Sequence, residues 1–405
     1  MVLLQINVVV NWGSTGRIAE EIGQAAIAAG WDSYIAYGRN PGISQSKLIR
    51  VGSKWDMYSH VLQTRLFDKH GLASKKATEK LIAQIEKLKP DIIHLHNIHG
   101  YYVNYPLLIE YLRKKEISIV WTLHDCWSFT GHCSHFAFIK CDKWKSKCLH
   151  CIQKKEYPAS LIDRSTRNYL LKKQYFTSIG KMVLVSVSEW QQAFLKDSFL
   201  QKYQSVCIHN GVNTNVFSPK TVPVDWKMKI APIAKYMVLG VASVWNERKG
   251  LNDFIQLKEM LPTDYLIVLV GLTVEQVDSL PDGILGVSRT NSIEELALYY
   301  SAASVFVNPT WEDNFPTTNL EALACGSPVI TYRTGGSVEA ITVDTGIIVE
   351  QGDVIGLADA VKKICIKGKN AYRKACRERA VKYFNKEERY QEYLDLYHNL
   401  LSQTI

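Results

Sequence analysis

The chain has 405 residues, 47% of them hydrophobic and 21% charged, and a formal net charge of +9. A chain this long outgrows one hydrophobic core and predicts two domains of about 200 residues, and the ordinary composition excludes a disordered, fibrous or repeat protein. No apolar stretch approaches the ~20 residues of a membrane span, and the apolar start Met1–Val10, which lacks a basic region, reads as a buried strand and not as a signal peptide.

The expected location is therefore the cytoplasm, free or peripheral on the inner face of the membrane. The positive charge suits anionic substrates or an anionic lipid surface. No nucleic-acid motif accompanies it, so no nucleic-acid partner is expected. Nine cysteines, an odd number, argue against a disulfide framework.

In chain order, Val2–Val10 is an apolar run rich in β-branched residues, and Thr15–Ala29 has helical spacing ending at Gly30. Short strands are predicted at Ser33–Tyr37 and Leu48–Val51, and an amphipathic helix at Lys75–Leu88, stopped by Pro90. Asp91–Leu95, Ser118–Leu123 and Val183–Val187 read as buried strands, the last followed by a helix from Glu189. Ile208–Pro219, rich in Asn, Gly, Thr and Pro, has linker composition. A second set of strands follows at Tyr236–Val241, Tyr265–Val270, Ile284–Val287, Val305–Asn308, Val329–Thr331 and Ile347–Val349. Helices close the chain at Val354–Ile366, Ala371–Tyr383 and Glu387–Leu401. Strands alternating with helices imply parallel sheets covered on both faces. The predicted fold is α/β, two doubly wound Rossmann-like domains facing a cleft. The first spans residues 1–207 with a cysteine-rich insertion at 126–157, the second 208–385, and a last helix at 386–405 crosses back to the first. Ligands of such sheets bind at the carboxyl ends of the strands.

Four segments at such ends carry candidate chemistry. Asn11-Trp12-Gly13-Ser14-Thr15-Gly16-Arg17 follows the first strand; its glycines let a phosphate or sugar approach the backbone, or simply form a tight turn. It lacks the dinucleotide spacing Gly-x-Gly-x-x-Gly. His124-Asp125 ends the Ser118–Leu123 strand, either as a ligand-facing pair or as a structural hydrogen bond. Arg248-Lys249 follows Tyr236–Val241 and can neutralise a pyrophosphate, or sit on a solvated turn. The most specific segment runs from Asn308 to Gly326. Its helix starts near Pro316, so the N–H groups of Phe315, Thr317 and Thr318 can meet an anion, and Glu321 can accept two hydrogen bonds from paired ribose hydroxyls. The plainer alternative makes Asp313 or Asn314 an N-cap and Glu321 a surface acid.

In this order the four segments resemble the retaining glycosyltransferases of the GT-B fold, family 4, over most of the chain. The string Trp311-Glu312-Asp313-Asn314-Phe315-Pro316-Thr317-Thr318-Asn319-Leu320-Glu321-Ala322-Leu323-Ala324-Cys325-Gly326 resembles the subgroup that builds bacterial exopolysaccharides such as colanic acid. Arg248, Lys249 and the linker Asn210-Gly211-Val212 support the resemblance. The family's two glutamates seven residues apart correspond to Asp313 and Glu321, the first shorter by one methylene, with Glu312 one residue out of register.

The resemblance implies a nucleoside-diphosphate-sugar donor and a saccharide acceptor, lipid-linked or free. It implies that Gly13 and Gly16 approach the donor diphosphate or the acceptor and that His124 contacts the transferred sugar. Arg248 and Lys249 then hold the diphosphate, and Asp313 grips sugar hydroxyls. Asn314 and Phe315 offer N–H groups to the sugar, Thr317 and Thr318 to the phosphate, and Glu321 binds the ribose. Arg289, after the Ile284–Val287 strand, lies beside the nucleobase. Retention follows from front-face attack, with the departing phosphate accepting the acceptor's proton. No catalytic cofactor or metal is expected if Arg248 and Lys249 stabilise the leaving group.

Cys133, Cys141, Cys148 and Cys151 can supply four thiolates to a structural zinc, with His132, His135 and His150 as competing ligands, or remain reduced thiols. The same insertion holds Lys140, Lys143, Lys145, Lys147, Lys154 and Lys155 beside Trp144 and Tyr157. It can rest on an anionic membrane or be a solvated loop. Two rival functions share the fold: a nucleotide-sugar epimerase, which needs no acceptor, and an inactive nucleotide-sugar-binding protein of an assembly complex.

Overall fold

The computed structural model describes residues 1–115, 117–230 and 234–402. The chain divides into two compact units, Met1–His209 with Tyr390–Ile405, and Asn210–Arg389. Each is a parallel α/β unit.

The first unit holds strands β1 (Val2–Asn7), β2 (Asp32–Tyr37), β3 (Lys47–Arg50), β4 (Ile92–Leu95), β5 (Ser118–Leu123), β6 (Met182–Ser186) and β7 (Ser205–Cys207). Their order in the sheet is β3-β2-β1-β4-β5-β6-β7, and every pairing is parallel. The order reverses at β1, where Leu3 pairs with both Ser33 and Ile92. Its helices are α1 (Gly13–Ala28), α2 (Lys54–Phe67), α3 (Lys75–Leu88), α4 (Tyr105–Arg113), α5 (Ser165–Phe176) and α6 (Glu189–Asp197). The central strands bury nearly every residue because both faces of the sheet are covered. One core cluster gathers Leu4, Ile6, Leu95, Trp121 and Leu184 with α3, α4 and the insertion. The other gathers Leu3, Ile18, Ile22, Val120 and Val185 with Tyr390, Tyr393, Leu394 and Tyr397.

The second unit holds α7 (Val224–Ile230), β8 (Tyr236–Val241), α8 (Leu251–Met260), β9 (Tyr265–Val270), α9 (Val274–Asp278) and β10 (Ile284–Val287). It continues with α10 (Ile293–Ala302), β11 (Val305–Asn308), α11 (Thr317–Ala324), β12 (Val329–Tyr332), β13 (Gly346–Val349), α12 (Val354–Lys367) and α13 (Asn370–Phe384). The six strands are ordered β10-β9-β8-β11-β12-β13, with the reversal at β8 and β11. The last helix, α14 (Lys386–Ser402), starts within the second unit and packs its tyrosines into the first; residues 403–405 lie outside the described residues.

The structure shortens the first expected strand, which ends at Asn7 and not at Val10. It also adds α2, α4, α5, α7 and β7, for which no elements were expected. No helix among the described residues is long and apolar enough to cross a membrane.

Candidate functional site

The carboxyl ends of β8 and β11 bring Arg248, Lys249 and the 310–316 loop together. Gly250 permits this: it lies at φ +75, and a Cβ there would sit 2.2 Å from the Pro309 carbonyl oxygen. The Arg248 carbonyl accepts the Trp311 N–H at 2.8 Å and the Thr310 hydroxyl at 3.2 Å, while the Arg248 guanidinium donates to the Glu312 carbonyl at 2.6 Å. Lys249 forms an ion pair with Asp313, their side chains about one-fifth exposed (21% and 19%). The Arg248-Lys249 segment is therefore fastened to the loop and is not a freely solvated turn.

Asp313 is held in turn. Gly336 N–H donates to its carbonyl at 3.2 Å, and neighbouring Gly335, at φ +53, leaves only 1.9 Å between an added Cβ and that oxygen. Asn314 and Phe315 are buried, and the Phe315 carbonyl accepts from the Asn210 side chain at 3.2 Å. Pro316 stands at the N-cap position of α11 with no side-chain cap. The amides of Thr317 and Thr318, the first two helical residues, have no intrahelical acceptor by geometry. Glu321 is buried, and its Oε2 accepts the Tyr300 hydroxyl at 2.9 Å. Glu321 is thus not a surface acid, and neither Asp313 nor Asn314 is the N-cap. Glu312 is fully buried. Arg289 is exposed just beyond β10.

In the first unit Gly13 opens α1 at φ +62, and a Cβ there would meet nothing within 4 Å. Gly16 is required for close packing: a Cβ would lie 3.1 Å from the Asn11 nitrogen, whose N–H donates to the Gly16 carbonyl at 3.0 Å. His124 and Asp125 each have another histidine as partner. Asp125 binds His99 at 2.9 Å, whereas His124 Nε2 meets His96 Nδ1 at 3.0 Å with the two rings stacked. Loss of water lowers the His124 imidazole to about 4, so it is neutral at pH 7. Burial alone would raise the Asp125 carboxyl, but the His99 imidazole beside it takes it down to about 2.

Behind His124 lie two hydrogen-bonded histidine groups whose rings touch. His96 Nε2 meets Gln5 Oε1 at 2.9 Å, and His94 meets the Thr122 hydroxyl at 2.7 Å and the Tyr397 hydroxyl at 2.6 Å. His94, His96 and His99 belong to the string His94-Leu95-His96-Asn97-Ile98-His99 at the carboxyl end of β4. Applied to β4, the rule that selected His124-Asp125 finds them as well.

Cys133, Cys141, Cys148 and Cys151 line one cavity of about 240 Å³ with His132 and His150. The Gly131 N–H donates to Cys148 Sγ at 3.2 Å. The hydrogen bond between Cys133 and Cys151 drives the buried Cys133 thiol well up and brings Cys151 down to about 7. The donor chemistry suits zinc, yet among the described residues no three His, Cys, Asp or Glu side chains are arranged to hold a metal ion. His132 is committed elsewhere, to Asp68 at 2.8 Å. The expected membrane-facing Trp144 is buried against Phe129, Phe136 and Phe194. Lys143 is turned onto the carbonyls of Leu149 and His150.

The family described as Glycosyltransferase Family 4 matches residues 15–216, and that described as Glycosyl transferases group 1 matches residues 235–366. WcaC of Escherichia coli (strain K12), named as a colanic acid biosynthesis glycosyl transferase, is 26% identical over 99% of this chain and 100% of its own length. The N,N'-diacetylbacillosaminyl-diphospho-undecaprenol alpha-1,3-N-acetylgalactosaminyltransferase of Campylobacter jejuni is 29% identical over 39% of this chain and 44% of its own length. Among solved structures, the Anabaena protein Alr3699/HepE in complex with UDP-glucose superimposes with a TM-score of 0.67 at 15% identity, covering 98% of this chain and 100% of that one.

Proposed function

The chain belongs to the family 4 and group 1 glycosyltransferases, and from that premise we propose that it moves a hexose from a nucleoside-diphosphate sugar to a lipid-linked saccharide, with retention of configuration, in bacterial surface polysaccharide synthesis. The observation that carries this reading is the joining of Arg248 and Lys249 to the Asp313–Thr318 segment at the amino end of α11.

As the bond from the anomeric carbon to phosphate oxygen breaks, charge accumulates on the leaving diphosphate. Arg248, Lys249 and the amides of Thr317 and Thr318 supply preset positive potential there. Two side-chain cations suffice for this role, so the proposed reaction requires no metal. Asp313 exchanges its ion pair with Lys249 for sugar hydroxyls, which releases Lys249 to the diphosphate. Glu321 binds the ribose with the acceptor sites left beside its bond to Tyr300. Neutral His124, whose Nε2–H is taken by His96, accepts a hydrogen bond from a sugar hydroxyl at Nδ1. The acceptor hydroxyl attacks from the leaving-group side, and the departing phosphate oxygen takes its proton. The lipid-linked acceptor is supported by the named substrate of the Campylobacter relative and the polysaccharide pathway by the Escherichia relative.

Thermal unfolding with UDP, GDP, ADP or NAD, each at 100 times its Kd, tests the donor site. One nucleoside diphosphate should stabilise by about 2.7 kcal/mol. Stabilisation by NAD alone overturns the reading. Product NMR then reports the anomeric configuration.

A further inference from the structure

Helix α2 is built with its apolar side outward. Trp55, Tyr58, Leu62 and Leu66 recur at steps of three and four residues, which places them in one stripe on the helix. They are 81%, 56%, 57% and 39% exposed. The buried side carries His60 and Thr64 instead. His60 is bound by the Ser74 hydroxyl at 2.8 Å and the Gly71 N–H at 3.0 Å. The helix is thus fastened by polar contacts while its large apolar groups meet water. The stripe continues onto Leu161, 71% exposed, whose N–H donates to the Arg65 carbonyl at 2.7 Å. Scattered exposed leucines are ordinary, but a contiguous stripe of this kind marks a surface that something covers.

The first turn of the same helix borders a cavity of about 590 Å³ at the carboxyl ends of β2 and β3. Arg39, Arg50 and Lys54 line it together with Asn40, Ser53 and Tyr58, and no carboxylate does. Among the described residues none of the three cations forms an ion pair. Asp56, the sole acid on α2, is used in the capping box, accepting from the Ser53 N–H and hydroxyl at 2.8 Å each. Tyr58 belongs to both features: its ring lies in the stripe and its residue lines the cavity.

We propose that the exposed stripe of α2 and the Arg39–Arg50–Lys54 cavity together form a docking site for an anionic phospholipid surface, the stripe entering the acyl boundary and the cavity receiving a headgroup phosphate. Charge selects this occupant. Tryptophan, tyrosine and leucine beside unpaired arginines and lysine match the boundary between headgroups and acyl chains. A second copy of the chain, applied through the same face, would set these cations against their own kind. The site deepens the lipid-linked acceptor reading and rests on it for its purpose, but the binding itself is measurable without turnover.

The test is sedimentation of the full chain with vesicles of phosphatidylcholine alone or mixed with phosphatidylglycerol, with Trp emission recorded in parallel. Binding to the mixed vesicles with a blue shift is expected. Trp55→Ser/Leu62→Ser and Arg50→Glu/Lys54→Glu should each lower the partition coefficient at least ~10-fold. All four side chains are exposed, so the melting temperature of each variant should match the parent. Any of three results overturns the site: no binding to mixed vesicles, binding that both variants retain, or a dimer in solution that Trp55→Ser/Leu62→Ser dissolves. Protection by glycerol phosphate without vesicle binding also overturns it, because the anion is then soluble. Nucleoside-diphosphate stabilisation separates the two readings: its persistence in a chain that ignores vesicles sinks the docking site and leaves the transferase.

Discussion

Replacing Lys249 by Met removes the cation that the 310–316 loop holds in place. In the free protein the loss is modest. Two unit charges about 4 Å apart at an effective dielectric near 20 attract by about 4 kcal/mol. Solvent reaches about one-fifth of each side chain (21% and 19%), and screening and desolvation bring the net contribution to about 1 kcal/mol. In the transition state the same ammonium meets a diphosphate that is gaining charge, where one preset donor accounts for ~10²–10³ in rate. Lys249→Met should therefore lower kcat ~10²-fold or more while stability falls by about 1 kcal/mol. Asp313→Asn should raise donor KM with a smaller loss of kcat, since Lys249 survives. The assay is donor turnover with release of the nucleoside diphosphate, alongside urea unfolding of both variants and their double. A folded Lys249→Met enzyme within threefold of the parent kcat would refute the assignment. So would a stability loss that accounts for the whole fall in activity.

Gly335→Ala forces a side chain against the Asp313 carbonyl at a left-handed φ of +53. It should cost about 2 kcal/mol or more and lower the second unit's Tm by several degrees, with donor binding weakened in step; an unchanged calorimetric Tm contradicts this. Lys172 is buried under Trp127, donating to its carbonyl at 2.6 Å, and burial pushes its ammonium down to about 7 from 10.5. Above pH 7 the unfolded chain keeps a proton that the folded chain has released, so stability from this site rises with pH toward about 10 and is lost as pH falls through 7. The change is on the order of 4 kcal/mol, and Lys172→Met should flatten it. Urea melts at pH 7, 8 and 9 with equal slopes in parent and variant would show that Lys172 stays charged.

Much of the fold was legible because its central strands are short apolar runs flanked by polar segments. Tyr236–Val241, Tyr265–Val270 and Ser118–Leu123 stand where the pattern predicts. Helix α2 was not legible, because periodicity assigns an apolar stripe to the core, and here His60 and Thr64 face inward. In the site, helix-start chemistry at Pro316 and the adjacent cations were readable from local spacing. The partners were not. His99 reaches Asp125, and Tyr300 reaches Glu321, across separations that only the sheet closes. That Cys133, Cys141, Cys148 and Cys151 share one cavity was likewise beyond local spacing, since the fold of the insertion brings them together.

Tyr390, Tyr393 and Tyr397 come from the last helix, yet they fill the core that Leu3, Ile22 and Val120 begin. Tyr397 also supplies the hydroxyl that His94 needs. On the ribosome, residues 210–389 form a contiguous unit and can fold as soon as they emerge. The first unit must wait for α14. Until then its sheet keeps an open apolar face, and any truncation before α14 leaves that face permanently bare. Truncations that remove α14 should therefore yield insoluble chains rather than shortened enzymes.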